Sequence, residues 1–303
     1  MPTIIFVVGP TATGKTDVAF GLACSLGAQI ISADSMAIYK EPRVITSKPS
    51  EAMRARIPHH LVDIISVQEN YSVFDYYHQA LEIIKAAKGK APLIVCGGSG
   101  LYIKAILDGI FEGAGKDERV RSDLEKQARE HGREYLYEEL KKVDPQTAGK
   151  VSANDVKRIV RALEVFMVTG VALSQKKQEA KGLWGDVPIK IFGLRLARET
   201  LYERINRRTE EMFAAGAIGE VERLLQHPLS LTASKIIGIK EIAGFLNGEY
   251  TREKAKELMQ QNTRRFAKRQ MTWFRADKRI CWLDIEALTT EATVQHIIRE
   301  MKA

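Results

Sequence analysis

Near its start the chain runs from five apolar residues, Ile4-Ile5-Phe6-Val7-Val8, straight into Gly9-Pro10-Thr11-Ala12-Thr13-Gly14-Lys15-Thr16. The octet fits the phosphate-loop pattern G-x-x-x-x-G-K-[ST], which demands a strand before it and a helix after it. Glycines let the backbone wrap an anion, successive N–H groups turn inward, and the helix that begins near Lys15 aims its positive end at the same point. Lys15 supplies a point charge and the Thr16 hydroxyl a ligand for Mg2+. An amphipathic run, Val18-Ala19-Phe20 to Leu22-Ala23, follows as that helix requires.

Further β-rich runs at 29–32, 61–65, 93–96, 189–194 and 280–283 alternate with helical stretches. Such alternation predicts an α/β fold, a parallel sheet covered by helices on both faces. Ala91 to Gly98 is apolar throughout, as a central strand buried on both sides should be, and ends in glycines where backbone passes close to a ligand. Two stretches break the rhythm. From Lys116 to about Gly185 the pattern is helical, with an apolar stripe at Ile159, Leu163, Phe166 and Met167, and it is helical again from about Thr200 to Lys278. Gly182 to Pro188 and Gln226 to Ser234 read as loops or hinges.

The 303 residues suffice for one large domain or two smaller ones. Lysine and arginine number 46 against 38 acids, a net charge of +8 that suits a polyanionic partner. Cys24, Cys96 and Cys281 lie far apart with no C-x-x-C spacing, which suggests neither a zinc site nor a disulfide framework and reads as a reducing compartment. The immediate entry into a strand leaves no room for a leader, and no apolar run approaches a membrane span. A cytoplasmic enzyme without a membrane partner is expected.

A hydrolytic phosphate-loop enzyme usually carries an Asp at the end of a second buried strand. Here that strand ends Cys96-Gly97-Gly98-Ser99, and the acid follows 29–32 instead, in Ser32-Ala33-Asp34-Ser35-Met36. Asp34 can serve as a general base on an acceptor substrate, or cap the following segment. Between Arg264 and Arg279 seven positive residues stand against one acid. On a helix Arg264, Lys268 and Arg275 share one side, while Phe266, Gln270, Trp273 and Phe274 fall near another, where the aromatics read as core anchors in preference to platforms for stacked bases. Lys157, Arg158 and Arg161 form a second basic cluster, and two basic helices flanking a phosphate site suit a large polyanion.

With these landmarks the chain resembles, over nearly its whole length, the bacterial tRNA dimethylallyltransferases, also called tRNA isopentenyltransferases. The motifs that carry the resemblance are Gly9 to Thr16, Asp34-Ser35-Met36, Thr46 with Lys48-Pro49, Pro58-His59-His60-Leu61, Gly97-Gly98-Ser99-Gly100-Leu101-Tyr102, Arg158 through Arg161-Ala162-Leu163-Glu164, Leu201-Tyr202 with Arg204-Ile205, Gly238 with Lys240-Glu241, and Thr263-Arg264-Arg265 running to Trp273-Phe274-Arg275.

The resemblance implies transfer of a dimethylallyl group from dimethylallyl diphosphate to N6 of the adenosine 3′-adjacent to a tRNA anticodon. It implies a phosphate-loop, nucleoside-kinase-like sheet core from residues 1–115, 186–204 and 279–303. Residues 116–185 and 205–278 would be helical elaborations forming a tRNA-gripping domain. Gly9, Pro10, Thr11, Ala12, Thr13, Gly14, Lys15 and Thr16 would hold the diphosphate, with Mg2+ on Thr16. Catalysis would fall to Asp34, Ser99 and Lys15: Asp34 accepts the amine proton, Ser99 orients the base or bridges to diphosphate, and Lys15 meets the leaving group. The target base would flip out of its loop to reach them. The tRNA anticodon stem-loop would meet Asp34, Ser35, Met36, Ala37, Ser99, Arg121, Lys157, Arg158, Arg161, Lys235, Lys240, Arg264 and Lys268, on an enzyme acting as a monomer.

The chain departs from the family pattern at Ala37, where Gln is common, at Ser99, where Thr is common, and at Ile239, where Tyr is common. Ser99 keeps the hydroxyl; Ala37 and Ile239 offer no side-chain hydrogen bond. His59 and His60 read as structural, Leu101 and Tyr102 as packing, and Arg204 and Arg208 either as a lid pair over the phosphates or as an exposed face. The competing functions are an adenylate isopentenyltransferase acting on free nucleotide, a phosphate-loop kinase, and a non-catalytic RNA-binding module.

Overall fold

The structure, a computed structural model, describes residues 4–111, 115 and 117–302. In chain order the elements are β1 (Ile4–Val8), α1 (Lys15–Leu26), β2 (Gln29–Ser32), α2 (Glu51–Arg56), β3 (His59–His60), α3 (Val73–Ala87), β4 (Leu93–Gly97) and α4 (Gly100–Asp108). Five helices follow: α5 (Glu118–Glu130), α6 (Arg133–Val143), α7 (Pro145–Ala148), α8 (Val156–Thr169) and α9 (Leu173–Glu179). The chain then returns through β5 (Ile189–Arg195), α10 (Arg198–Ala214), α11 (Ala217–Leu224), α12 (Ile239–Leu246), α13 (Arg252–Arg275), β6 (Ile280–Asp284) and α14 (Thr290–Lys302).

The six strands form one parallel sheet in the order β3-β2-β4-β1-β5-β6, the α/β core with a phosphate loop that the sequence pattern requires. Alternate residues of β1 divide between its faces. Ile5 and Val7 join Leu22 of α1, Phe192 and Leu194 of β5, and Val294 and Ile297 of α14 in one apolar cluster. Such strands, buried on both sides, need the β-branched runs they have.

The described residues fall into two compact units, one ending at Leu107 and resuming at Trp184, the other spanning Asp108–Leu183. Lys116, where the domain boundary was expected, lies outside the described residues. Within Asp108–Leu183, α8 buries Ile159, Val160, Ala162, Leu163 and Val165 against Leu124 of α5 and Leu136 and Leu140 of α6. The expected stripe through Met167 is corrected here: Met167 is 56% exposed, because the buried face turns through Val160 and Ala162 instead.

The second helical stretch, 205–278, lies in the unit that holds the sheet. The reason is apolar. Leu201 and Ile205 of α10 and Ala267 of α13 pack on one another with Ala12 of the phosphate loop and Leu196 against them.

The strand expected at 61–65 is also corrected. β3 is only His59–His60, after which Leu61 and Asp63 take positive φ of 59° and 56°. Their segment pairs with 37–40 rather than with the sheet, through Asp63 N–H to the Ala37 carbonyl at 3.0 Å and Ile64 N–H to the Ile38 carbonyl at 2.8 Å. The Asp63 carboxylate is gripped by Lys48 and by Arg54, both at 2.5 Å. Those partners lie 15 and 9 residues away, so strand propensity alone does not register them.

Candidate active site

The loop after β1 is held in an uncommon backbone shape. Gly9 has φ 139° and a methyl group there would lie 2.5 Å from the Leu194 carbonyl oxygen, while Gly14 takes φ 76°. Ala12 adopts φ 66°, a region that costs a side-chain-bearing residue energy and persists where neighbours hold it. Inside the loop the buried Thr13 hydroxyl donates to the Pro10 carbonyl at 2.9 Å, and Lys15 Nζ donates to the same oxygen at 2.6 Å. Burial lowers the Lys15 ammonium to a pKa of about 8, against the opposing pull of Cys96 and Asp34 and with help from Arg208.

Thr11 is gripped twice from outside the loop. Its N–H donates to Gln270 Oε1 at 2.8 Å, and its hydroxyl accepts from Arg208 Nη2 at 2.6 Å. Arg208 stands on α10 and Gln270 on α13. The two readings left open for Arg208 thus resolve toward the phosphate loop; burial loosens its hold on its proton while Asp34 opposes that effect.

The acid comes from the end of β2. There the chain passes so close to the end of β4 that a methyl group at Gly97 would sit 2.1 Å from the Ala33 carbonyl oxygen. Ala33 N–H donates to the Cys96 carbonyl at 2.7 Å and Ser99 N–H to the Ala33 carbonyl at 3.0 Å. Asp34 Oδ1 accepts the Met36 N–H at 2.9 Å, the cap-like bond anticipated as one reading, and Asp34 also lines the cleft with Lys15 and Arg208. Ser99 Oγ accepts the Ser35 N–H at 2.9 Å and donates to Ser35 Oγ at 3.1 Å. Ser99 therefore fixes the turn that carries Asp34.

These groups border a cleft of about 820 Å³. The phosphate loop and Asp34 form one side, with Met36 and Ala37; residues 45–50 and 235–237, and Phe266 and Arg269 of α13, form the others. The 43–45 backbone is clamped by Glu220 of α11, a buried carboxylate that accepts the N–H groups of Arg43, Val44 and Ile45 at 2.7, 2.8 and 3.0 Å. His59 also borders the cleft; its Nδ1 bonds the Ile57 carbonyl at 2.7 Å, and burial holds the ring below its usual pKa. His60 bonds Gln29 instead, at 2.8 Å.

Of the residues expected to meet RNA, Asp34, Met36, Ala37 and Lys235 border this cleft. Lys240 and Lys268 are exposed elsewhere on α12 and α13. Arg264 turns inward from the basic face, donating to Asn206 at 2.5 Å and lying 5.9 Å from the Tyr202 ring. Arg121, Lys157, Arg158 and Arg161 belong to the Asp108–Leu183 unit. There Arg121 and Arg161 both donate to the buried Glu164 carboxylate, at 2.8 and 2.9 Å. Burial would raise the Glu164 pKa, but these two hydrogen bonds, the Asp117 N–H at 2.9 Å and the Arg161 charge together hold the carboxyl low.

The aromatic anchors divide three ways. Phe274 is core, Phe266 borders the cleft, and Trp273 is 41% exposed. Leu101, expected to pack beside Tyr102, is 51% exposed, whereas Tyr102 stacks on Tyr76 with ring centres 3.9 Å apart. Sequence reasoning missed Gln270, Glu220, Phe266 and Arg269 as parts of the site. For Gln270 a signal existed: Thr263, Ala267, Gln270 and Phe274 share heptad spacing and are all buried.

The family profile described as "IPP transferase" matches residues 37–277. A protein of Pelotomaculum thermopropionicum named tRNA dimethylallyltransferase is 43% identical over 304 residues, covering 98% of this chain and 95% of its own. One of Geobacter sulfurreducens with the same name is 42% identical over 290 residues, covering 94% and 92%. Among solved structures, the tRNA isopentenylpyrophosphate transferase of Bacillus halodurans superposes with a TM-score of 0.73 at 31% identity, covering 100% of this chain and 96% of its own. A eukaryotic dimethylallyltransferase described as acting on tRNA superposes with a TM-score of 0.84 at 26% identity, covering 98% and 78%. A phosphate loop, a displaced acid at the sheet edge and relatives matched end to end lead to one conclusion: the chain belongs to the IPP transferase family.

Proposed function

We propose that this protein transfers a dimethylallyl group from dimethylallyl diphosphate to N6 of the adenosine 3′-adjacent to the anticodon of tRNA, giving N6-(dimethylallyl)adenosine and diphosphate. The observation that carries the reading is that Lys15, Arg208 and Asp34 border one cleft, two cations at the phosphate loop and one carboxylate across from them. Such a site suits departure of an anion on one side and loss of a proton on the other.

In this reaction the bond between C1 of the donor and its diphosphate oxygen breaks, and a bond from C1 to N6 forms. Asp34 takes the proton that N6 sheds. Lys15 and Arg208 bear the charge that grows on the leaving oxygen, and diphosphate in the loop favours the charged form of Lys15. Ser99 keeps the 34–36 turn in place through Ser35. Mg2+ needs only one or two protein oxygens when phosphates supply others, and the Thr16 hydroxyl, which borders the cleft beside Lys15, fits that need. When bound there, the ion would neutralise diphosphate charge.

The RNA would lie along Lys235 and Arg269 at the cleft, with Lys268 meeting a backbone phosphate; the Asp108–Leu183 unit by itself offers the exposed Lys157 and Arg158 to RNA phosphates. Among the described residues no helix is long and apolar enough to cross a membrane. A monomer working in the cytoplasm, where its RNA substrate is made, completes the proposal.

The test is incubation with labelled dimethylallyl diphosphate plus either unmodified tRNA or AMP. Label in tRNA alone is expected. Label in AMP alone would replace the proposal with free-nucleotide prenylation, and transfer to neither, with ATP turnover instead, would replace it with a kinase.

A further inference from the structure

The buried side chain of Gln270 occupies a place that the reaction itself leaves unexplained. It is 7% exposed in a helix otherwise crowded with charge, and each end of its amide has a backbone partner. Oε1 accepts the Thr11 N–H at 2.8 Å; Nε2 donates to the Gly98 carbonyl at 2.9 Å. Because one partner can only donate and the other only accept, the amide is fixed in a single orientation. The fit is tight, since a methyl group on Gly98 would lie 2.1 Å from Nε2.

Thr11 belongs to the phosphate loop, and Gly98 precedes Ser99, whose hydroxyl holds Ser35 beside Asp34. We propose that Gln270 is a positioning residue for the transfer, a brace that sets the phosphate loop against the turn carrying the general base. The inference rests on reading that loop as the diphosphate cradle. Two features make a brace necessary. Ala12, next to Thr11, sits at φ 66° and needs its neighbours held. In addition, β1 and β2 are not hydrogen-bonded to each other, so their terminal loops share no direct ladder. A reacting geometry disturbed by about 1 Å can cost on the order of a hundredfold in rate.

Two substitutions separate bracing from packing. Gln270→Met keeps the length of the side chain and removes both hydrogen bonds. It should lower kcat/KM for dimethylallyl diphosphate by roughly 10- to 100-fold, through both kcat and donor KM, while the Kd for unmodified tRNA stays within about twofold of wild type. Gln270→Glu can still accept from Thr11, but as a carboxylate it cannot donate to Gly98; protonated, it can. Its activity relative to wild type at the same pH should therefore climb as pH falls, whereas the relative activity of Gln270→Met stays flat.

Binding of inorganic diphosphate, followed calorimetrically without any acceptor, isolates the loop. Gln270→Met should weaken it about tenfold. Normal donor kinetics in Gln270→Met with only a lowered melting temperature would reduce Gln270 to packing and overturn the proposal. A flat pH ratio for Gln270→Glu would overturn it as well. Wild-type protein that binds no diphosphate at all would instead remove the cradle reading, and the brace with it.

Discussion

The guanidinium of Arg208 donates to the hydroxyl of Thr11 at 2.6 Å, joining helix α10 to the rim of the phosphate loop. In the proposed reaction that charge would serve the leaving group as well as the fold. Arg208→Gln should lower kcat by about 10² to 10³, the range for losing one donor to a developing anion, with tRNA affinity little changed. Single-turnover measurements of label transfer would check it; an undiminished rate would leave Arg208 a structural tie only.

Asp34→Asn should keep the fold, because an amide oxygen can still accept the Met36 N–H at the turn. Turnover should fall by roughly 10²- to 10⁴-fold, as for loss of a general base. Wild-type turnover in this variant would assign the proton to another acceptor.

Burial lowers the Lys15 ammonium from its ordinary 10.5 to about 8. Diphosphate favours the charged form, so binding above about pH 8 takes up a proton, and Kd should weaken by up to about tenfold per pH unit there. Lys15→Ala should bind weakly throughout and lose that slope. The same ammonium adds to folding stability as pH rises from about 8 to 10.5, where the unfolded chain alone still holds the proton. A calorimetric pH series on both proteins tests the sign.

Glu220→Ala strips three backbone N–H groups of their acceptor at 43–45. The expected loss is about 2–3 kcal/mol in urea unfolding, since one unsatisfied buried donor costs about 1–3 kcal/mol and the opened loop readmits water. Donor or tRNA KM should rise with it, because residues 45–50 border the cleft. Unfolding at the wild-type urea midpoint would show the clamp to be dispensable.

Lys268 is exposed and free of the inward contacts that hold Arg264. If it meets an RNA phosphate, Lys268→Gln should flatten the slope of log K against log salt by roughly 0.7 to 0.9 with no change in melting temperature. An unaltered slope would remove Lys268 from the RNA surface.

Local chemistry made much of this molecule legible in advance. The apolar runs of β1, β2 and β4 fold as strands because their side chains can be buried between two helical layers, β5 and β6 mix buried with exposed positions, and the Gly9 to Thr16 octet supplies the turn that follows β1. What stayed hidden depends on partners distant in the chain. Residues 61–65 are drawn off the sheet by Lys48 and Arg54 acting on Asp63. Gln270 looks like one more polar residue on a charged helix until Thr11 and Gly98, 259 and 172 residues away, are brought to it. The Met167 face failed for a simpler reason: a stripe counted from a few apolar residues can be rotated by one position when Val160 and Ala162 offer an equally apolar face.

The sheet order also sets a ruler for the chemistry. β4 lies between β1 and β2, so the loop that follows β1 and the turn that follows β2 stand two strand spacings apart, roughly 9.5 Å. The carboxylate that follows β2 and the loop that follows β1 thus line one cleft from different strands, with the end of β4 between them. The strand between ends in residues with almost no bulk, because a methyl group at Gly97 would strike the Ala33 backbone and one at Gly98 the Gln270 amide that joins this edge to the loop.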